Sequence, residues 1–256
     1  IRLSLVGSEM CIRDRYKVRE YVQSLGLGDT LVKLYGRWDK ASDIDWDRLP
    51  NQFVLKVNNG CGDILICRDK DKLDKATVID TYDRLVSIKY GDVTGEPHYA
   101  RIQPCVIAEE LLDINKQSIN TSSLIDYKVW CLNGKPYCIW CAWNRGKEGA
   151  DTGVYDLDWN YHPEWSVFTE HYRQGKEILP KPKCFERMLE VASKLSEEFP
   201  ILRVDLYEVN EKIYFGELTF TSLGGFMDYL TSEILLDMGS KVRINEISEE
   251  YVHVKC

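Results

Sequence analysis

The sequence lacks two features that define common functional classes. It has no apolar run near the roughly 20 residues that a membrane-spanning helix requires, since Lys56 interrupts even the segment from Phe53 to Val57. It also has no excess of basic residues, because 33 Lys and Arg stand against 41 Asp and Glu, a formal net charge of −8. A duplex-binding surface needs such an excess to neutralise phosphates. We therefore expect neither a membrane span nor a nucleic-acid partner.

The sequence also lacks an even number of cysteines and a cluster of histidines. The nine cysteines are odd in number and thinly spread over 256 residues. This distribution favours free thiols in a reducing compartment, and we expect a cytoplasmic protein. The four histidines show no spacing typical of metal ligands.

The N-terminal segment lacks structural signals. The chain begins with Ile1 instead of Met, and residues 1–13 show neither a capping residue nor a helical period. We interpret these residues as a translated adapter scar and expect the native protein to begin further upstream. Hydrophobic residues make up 44% of the chain, which is enough for a sizeable core in one or two domains.

Helical and strand patterns alternate along the rest of the chain. Apolar residues at helical spacing predict helices at residues 18–25, 72–90, 185–199 and 228–238. Runs rich in β-branched residues predict a strand at 106–112 and three hairpins, at 53–57 with 64–67, 126–132 with 137–143, and 202–209 with 213–220. We therefore predict an α+β fold with largely antiparallel sheets.

The first hairpin combines a lysine with a glycine-rich tip. Lys56 lies near the end of the first strand, and Gly60-Cys61-Gly62 follows in the turn. Such a loop can bring backbone N–H groups close to phosphate, and the lysine can add a charge. An ordinary tight hairpin is the alternative, because glycine-rich turns are common.

The third hairpin has a register that can be tested by matching faces. A two-residue turn at Asn210-Glu211 would mix apolar and charged residues on one face. A three-residue connection instead pairs Asp205 with Glu217 and Arg203 with Thr219. Because this register collects the apolar residues on the opposite face, we predict it.

Asp205 and Glu217 then lie directly opposite each other. Two such carboxylates repel unless a cation lies between them, so we interpret them as Mg²⁺ ligands. The alternative is a solvated face on which Arg203 neutralises both carboxylates.

Taken in order along the chain, several motifs resemble the ATP-grasp superfamily. The segments that carry this resemblance are Phe53-Val54-Leu55-Lys56, Ile107 to Leu112, Arg203-Val204-Asp205 and Phe215-Gly216-Glu217-Leu218-Thr219. Within the superfamily, Asp126-Tyr127-Lys128 and Tyr155 to Asn160 resemble the TupA-like group, which is associated with teichuronopeptide and cell-surface polysaccharide synthesis. The resemblance implies two α+β subdomains whose antiparallel sheets sandwich a nucleotide.

The resemblance implies roles for residues in the N-terminal half. Arg19 and Lys56 would reach the phosphates of ATP, with the Gly60-Cys61-Gly62 backbone over them. The hinge residues Glu109, Glu110 and Leu112 would contact adenine, through backbone groups of Glu109 and Leu112. The implied subdomains are residues 14–108 and 109–240, and residues 241–256 form a tail.

The resemblance also implies roles in the C-terminal half. Asp126 would contact the ribose hydroxyls and Lys128 a phosphate. Asp205 and Glu217 would hold Mg²⁺, with Thr219 at a position where the superfamily usually has Asn. Arg203 and Arg145 would stabilise the transferred group or the acceptor carboxylate.

The implied activity is a Mg²⁺- and ATP-dependent carboxylate–amine ligase acting through an acyl phosphate, with a carboxylate acceptor and an amine donor as partners. One alternative is a Mg²⁺-dependent nucleotide-sugar glycosyltransferase that uses Asp156 and Asp158, with Trp159, Tyr161 and Trp165 as a sugar platform. A non-catalytic nucleotide-binding module is the other alternative.

Overall fold

The computed structural model describes residues 14–59, 64–88, 102–220, 222 and 227–243. Within this part, residues 14–24 and 31–112 form a first compact unit, and residues 25–30 and 113–243 form a second. The predicted scar at 1–13, the loop residues Gly60, Cys61 and Gly62, and most of the predicted tail at 241–256 lie outside the described residues. The boundaries proposed for the subdomains stay a prediction.

Among its described residues, the first unit contains two α-helices and a four-stranded sheet. The helices are α1 (Val18–Ser24) and α2 (Lys75–Ser87), and the strands are β1 (Leu34–Trp38), β2 (Phe53–Val57), β3 (Ile64–Cys67) and β4 (Val106–Glu109). The strand order is β1-β4-β2-β3, and every pair is antiparallel. The short strand β4 therefore lies inside the sheet, and β3 forms one edge.

The alternation of residues along β2 separates a core face from a polar face. Phe53, Leu55 and Val57 are fully buried in a cluster that includes Val78 and Tyr82 of α2. Lys56 points to the other face, because neighbouring residues of a strand point to opposite sides. The side of the sheet that is not needed for the core thus carries the lysine.

In the part of the second unit that the structure describes, there are two α-helices and a six-stranded sheet. The helices are α3 (Phe185–Ser196) and α4 (Ser232–Lys241), and the strands are β5 (Asp126–Leu132), β6 (Lys135–Gly146), β7 (Gly149–Tyr155), β8 (Tyr172–Gln174), β9 (Ile201–Val209) and β10 (Lys212–Thr219). The order is β10-β9-β5-β6-β7-β8. All neighbouring strands are antiparallel except β7 and β8, which are parallel.

Both faces of this sheet bury apolar residues, although one face is only partly apolar. On one side α3 packs through residues such as Met188 and Val191, and the thiol of Cys131 faces the carbonyl of Ala192. On the other side Trp130 and Trp140 pack with α4 and the segment before it. On this second side the apolar cluster covers only part of the face, and Asp126, Lys128, Arg203 and Asp205 lie on the same face.

The β9–β10 hairpin has the predicted pairing at its far end, but the predicted connection is wrong. Val209 pairs with Lys212, so Asn210 and Glu211 form a two-residue turn, and both have positive φ as a type I′ turn requires. A bulge between Phe215 and Glu217 then shifts the register by one residue. Asp205 therefore pairs with Glu217 as predicted, because the bulge supplies the extra residue that we had assigned to the turn.

Several predicted boundaries differ from those in the structure. Helix α2 begins at Lys75 instead of residue 72, because the side chain of Asp74 accepts a hydrogen bond from the N–H of Thr77 and caps the helix. Helix α4 spans Ser232–Lys241 instead of 228–238. The β5–β6 turn contains two residues, Asn133 and Gly134, both with positive φ.

Three strands have no counterpart in the prediction, namely β1, β7 and β8. Strand β7 carries two glycines and an aspartate, so it lacks the alternation expected of a half-buried strand. The predicted α+β class with two sheets is confirmed. No helix among the described residues is both long and apolar enough to cross a membrane.

The bulge in β10 depends on the absence of a side chain at Gly216. A Cβ at this position would lie 2.9 Å from the carbonyl oxygen of Asp205 and 3.1 Å from the ring of Tyr207. We predict that Gly216→Ala lowers the free energy of unfolding by about 1–3 kcal/mol, because backbone cannot move aside cheaply.

Gly239→Ala is the matched control. Its Cβ would meet nothing within 4 Å, and alanine favours the helix. Urea unfolding of both variants tests the prediction. Equal stability of Gly216→Ala and the wild-type chain would contradict it.

Candidate functional site

In the first unit, one carboxylate joins the two cations that were predicted to bind phosphate. The Oε1 atom of Glu109 lies 3.1 Å from Nη1 of Arg19, and Oε2 lies 2.5 Å from Nζ of Lys56. Arg19 comes from α1, Lys56 from β2 and Glu109 from the end of β4. Arg19 and Glu109 are 90 positions apart in sequence, and the fold brings them together with Lys56. The Glu109 carboxylate holds both cations on one face of the sheet.

An apolar strip lies beside these charges on the same sheet face. Lys56 pairs with Ile64, and Val54 pairs with both Ile66 and Glu109, so these side chains point to one side. Ile64 and Ile66 are 52% and 51% exposed, which is unusual for isoleucine. A face that joins cations to accessible apolar side chains suits a ligand with both a phosphate and a flat organic group.

In the second unit, Asp205 lies between two cations. Nε and Nη2 of Arg203 donate to its two oxygens over 2.7 and 2.9 Å, and Nζ of Lys128 donates to Oδ2. The register explains the contact, because Lys128 on β5 pairs with Asp205 on β9. All three side chains are nearly inaccessible to solvent.

Burial and charge act in opposite directions on Asp205. Burial alone raises the pKa of this carboxyl, because it disfavours the charged form. The positive charges of Arg203 and then Lys128 outweigh burial, and the pKa is lower than the ordinary value of an aspartate. Asp205 therefore stays ionised at neutral pH, as the anion that balances two buried cations.

Asp126 extends the network on the other side of Lys128. Its Oδ2 atom lies 2.7 Å from Nη2 of Arg145 and 3.8 Å from Nζ of Lys128. Tyr207 also hydrogen-bonds to Asp126, and the charge of this aspartate, together with burial, raises the pKa of the tyrosine well above its ordinary value. Arg145 is 43% exposed, so it is the accessible cation at this end of the network.

Glu217 and Thr219 lie at the opposite end, next to Arg203. Nη2 of Arg203 donates to the hydroxyl of Thr219 over 3.0 Å and lies 3.5 Å from Oε1 of Glu217. The side chain of Glu217 is 42% exposed, in contrast to the buried Asp205. Asp205 and Glu217 thus both contact Arg203, as in the alternative interpretation that Arg203 neutralises both carboxylates.

The described contacts of the remaining predicted residues are structural and do not involve the roles that the resemblance implies. The N–H of Glu110 donates to the carbonyl of Lys33 over 2.9 Å, and Leu112 is buried. The adenine contacts assigned to Glu109, Glu110 and Leu112 therefore stay a prediction, as do the ribose contact of Asp126 and the phosphate contact of Lys128. Gly60, Cys61 and Gly62 lie outside the described residues.

Asp156, one of the two aspartates of the alternative glycosyltransferase hypothesis, has a structural role. Oδ1 of Asp156 accepts hydrogen bonds from the N–H groups of Asp158 and Asn160, which closes a tight turn. Trp159 stacks on Tyr155 at 4.4 Å and donates its ring N–H to the carbonyl of Leu179, so it packs inward. These contacts account for Asp156 and Trp159 without a metal or a sugar.

Two residues of the site, Ser222 and Tyr229, and the role of the Glu109 carboxylate were not predicted from the sequence. The resemblance implies adenine contacts for backbone groups of Glu109, whereas its carboxylate joins Arg19 and Lys56. The hydroxyls of Ser222 and Tyr229 lie 3.0 and 3.4 Å from Nη1 of Arg203. No local pattern marks these residues, because each contact joins segments that are distant in sequence.

Comparison with known proteins supports the predicted fold. A family model described as TupA-like ATP-grasp matches residues 5–243. The solved structure of D-alanine–D-alanine ligase from Bacillus anthracis matches with a TM-score of 0.55 and 15% identity, covering 91% of this chain and 67% of that chain. The ATP complex of this ligase gives 0.53 and 14% identity, covering 90% and 61%.

At these identities the structural likeness shows the fold alone, and the predicted ATP-grasp fold is confirmed. The chain spans 61% to 67% of the length of these two ligase chains. No curated protein sequence matches.

The Asp205 contacts predict a large and pH-dependent loss of stability in Asp205→Asn. This change removes the carboxylate charge that two buried cations share and leaves only the longer contacts with Asp126 and Glu217, so we expect the free energy of unfolding to fall by about 3–5 kcal/mol at pH 7. Because the native pKa of Asp205 is lowered, its contribution is complete above the unfolded pKa of about 3.9 and disappears as the pH falls through the native value. The difference between the two proteins should therefore shrink below about pH 4.

Asp151→Asn provides a control in the same sheet. Asp151 pairs with the more exposed Arg173 over 3.4 Å, so its loss should cost at most about 1 kcal/mol. Urea unfolding between pH 3 and 7 measures both variants. A small, pH-independent effect of Asp205→Asn would contradict the assignment.

Proposed function

Because the chain belongs to the TupA-like ATP-grasp family, we propose that it is a Mg²⁺- and ATP-dependent carboxylate–amine ligase. The observation that carries this proposal is the charged face of the second unit, where Arg203 and Lys128 share Asp205 beside the more accessible Glu217. Phosphoryl transfer works mainly by positioning and charge neutralisation, and this face provides fixed charges of both signs.

The first unit supplies the features that an ATP molecule needs. Arg19 and Lys56 would contact phosphate oxygens, and the exposed strip of Ile64 and Ile66 would lie beside the flat base. The negative charge of Glu109 offsets the repulsion between the two cations and holds both in position before the nucleotide binds. We propose that a phosphate oxygen then binds to Lys56 as well. The ammonium has three donors on a flexible stem, so it can turn toward the phosphate and keep its contact with the Glu109 carboxylate.

The oxygen atoms at Asp205, Glu217 and Thr219 fit Mg²⁺. No group of three or more His, Cys, Asp or Glu side chains in the described part of the chain is arranged as a complete metal cage. Mg²⁺ bound with a nucleotide usually takes one or two carboxylates plus phosphate oxygens, so two acidic ligands are sufficient.

Asp205 retains some capacity for such a metal. An ionised carboxylate has about four lone-pair sites, and Arg203 and Lys128 use three of those on Asp205. Glu217 would supply the more accessible oxygen. When bound, Mg²⁺ would neutralise charge on the phosphates. The Thr219 hydroxyl would either ligate the metal or hold a water molecule.

The proposed reaction has two steps. The acceptor carboxylate attacks the γ-phosphoryl group of ATP, so that an acyl phosphate forms and ADP leaves. An amine then attacks the acyl carbon and displaces phosphate. Lys128, Arg145 and Arg203 would orient the phosphoryl group and the carboxylate, and Arg145 is the most accessible of the three.

The biological setting is also a proposal. The family is named after TupA, and the acceptor that we propose is a uronic acid or amino-acid carboxylate of a surface polymer, modified in the cytoplasm before export. The net charge of −8 disfavours a nucleic-acid acceptor.

Lys56→Met tests the proposal directly. Removing one charge-assisted contact to phosphate should weaken the binding of Mg·ATP by about ten- to hundredfold, as measured by calorimetry, and lower the release of ADP in a screen of carboxylate and amine pairs. Lys72→Met is the matched control, because Lys72 is highly exposed on the same unit and forms a surface ion pair with Asp69.

Three outcomes are distinguishable. Equal ATP affinity of both variants would contradict the role of Lys56. ATP binding without ADP release for any pair would leave a nucleotide-binding module and exclude the ligase. Release of ADP that needs a carboxylate supports the proposal.

A further inference from the structure

All five N–H groups of Arg203 are engaged. Two of them, on Nε and Nη2, donate to Asp205, and the second hydrogen of Nη2 faces Thr219. Both hydrogens of Nη1 face hydroxyls, those of Ser222 at 3.0 Å and Tyr229 at 3.4 Å. Because a guanidinium has five donors, Arg203 can bind a substrate only by giving up one of these contacts.

The two edges of the guanidinium differ in how firmly they are held. The edge formed by Nε and Nη2 donates two parallel bonds to a buried carboxylate, which is the strongest arrangement available to arginine. The edge formed by Nη1 and Nη2 faces the hydroxyls of Ser222, Tyr229 and Thr219, and Nη2 also lies 3.5 Å from Oε1 of Glu217. An anionic oxygen is a stronger acceptor for a guanidinium than a hydroxyl is, so it would replace Thr219 at Nη2 and leave the contact with Asp205 intact.

Ser222 and Tyr229 are suited to hold Nη1 in one position. Their hydroxyl oxygens lie 2.8 Å apart and form a hydrogen bond with each other, so each hydroxyl is itself fixed by the other. Burial raises the pKa of Tyr229, so its hydroxyl stays protonated at neutral pH. Its ring is fixed against Trp140 at 4.8 Å and Tyr172 at 6.0 Å, and both hydroxyl-bearing residues are buried.

We propose that Ser222 and Tyr229 are positioning residues for Arg203. Their paired hydroxyls hold Nη1 in place in the free protein and throughout the reaction, while an anionic oxygen of the phosphoryl group or the acceptor carboxylate takes the place of Thr219 at Nη2. This inference rests on the proposed ligase function, and it adds two residues that contact the arginine instead of the nucleotide.

Kinetics of Ser222→Ala, Tyr229→Phe and the double variant test the inference. The affinity for Mg·ATP should stay within about twofold, because neither hydroxyl is placed on the nucleotide. The rate constant for ADP release should fall by about tenfold in each single variant, the effect of losing one positioning hydrogen bond. The double variant should lose less than the product of the two, because both hydroxyls hold the same nitrogen.

Tyr137→Phe is the matched control. It removes another tyrosine hydroxyl on this sheet, one that donates to Asp237 and makes no contact with Arg203. Its rate constant should stay within about twofold of the wild-type value. An equal loss in Tyr137→Phe and Tyr229→Phe, or a Tyr229→Phe variant with the wild-type rate, would overturn the inference.

A second measurement does not depend on catalysis. In the wild-type chain, NMR of the arginine side chains should show separate Nη hydrogens for Arg203, assigned by their loss in Arg203→Lys. In the double variant the two Nη1 signals should average through faster rotation, whereas the Nη2 signals, held by Asp205 and Thr219, should stay separate. Unchanged signals would overturn the inference. A wild-type chain that releases no ADP with any substrate pair would instead contradict the proposed function, and the NMR result would still decide whether the hydroxyls hold Arg203.

Discussion

The buried ionic contact of Asp205 with Arg203 and Lys128 is the constraint on which the second unit depends. Buried cations are costly unless an anion and hydrogen bonds compensate them, and here one carboxylate compensates two. The contact joins β5 to β9 inside the six-stranded sheet. One part of this sheet face therefore carries charge, while the apolar cluster around Trp130 and Trp140 covers another part.

The first unit uses the same arrangement on a smaller scale. Glu109 holds Arg19 and Lys56 on the sheet face opposite the core, as Asp205 holds two cations in its own unit. In both units a carboxylate keeps a pair of cations fixed before any ligand binds. Because these cations are already fixed, little reorganisation is needed when a phosphate binds. Binding of phosphate thus favours buried charge pairs, whereas a core with a purely structural role would be as stable with apolar residues in their place.

The parts of the fold that depend on local pattern could be predicted from the sequence, and the parts that depend on distant contacts could not. The pairing of Asp205 with Glu217 followed from matching apolar faces, although the bulge at Gly216 that produces it was mistaken for a longer turn. Strand β7 was missed because its glycines remove the periodic signal. The roles of the Glu109 carboxylate, Ser222 and Tyr229 became visible only when the chain was folded, since each contacts residues far away in sequence.

A thermal melting experiment tests most directly whether these charged faces serve a nucleoside triphosphate. At a ligand concentration about 100 times the dissociation constant, binding stabilises the native protein by roughly 2.7 kcal/mol. For a chain of this size that corresponds to a rise of about 5–10 °C in the melting temperature. Our account predicts this rise with Mg·ATP and none with a UDP-sugar. A rise with the UDP-sugar and none with Mg·ATP would contradict the ligase and favour the glycosyltransferase.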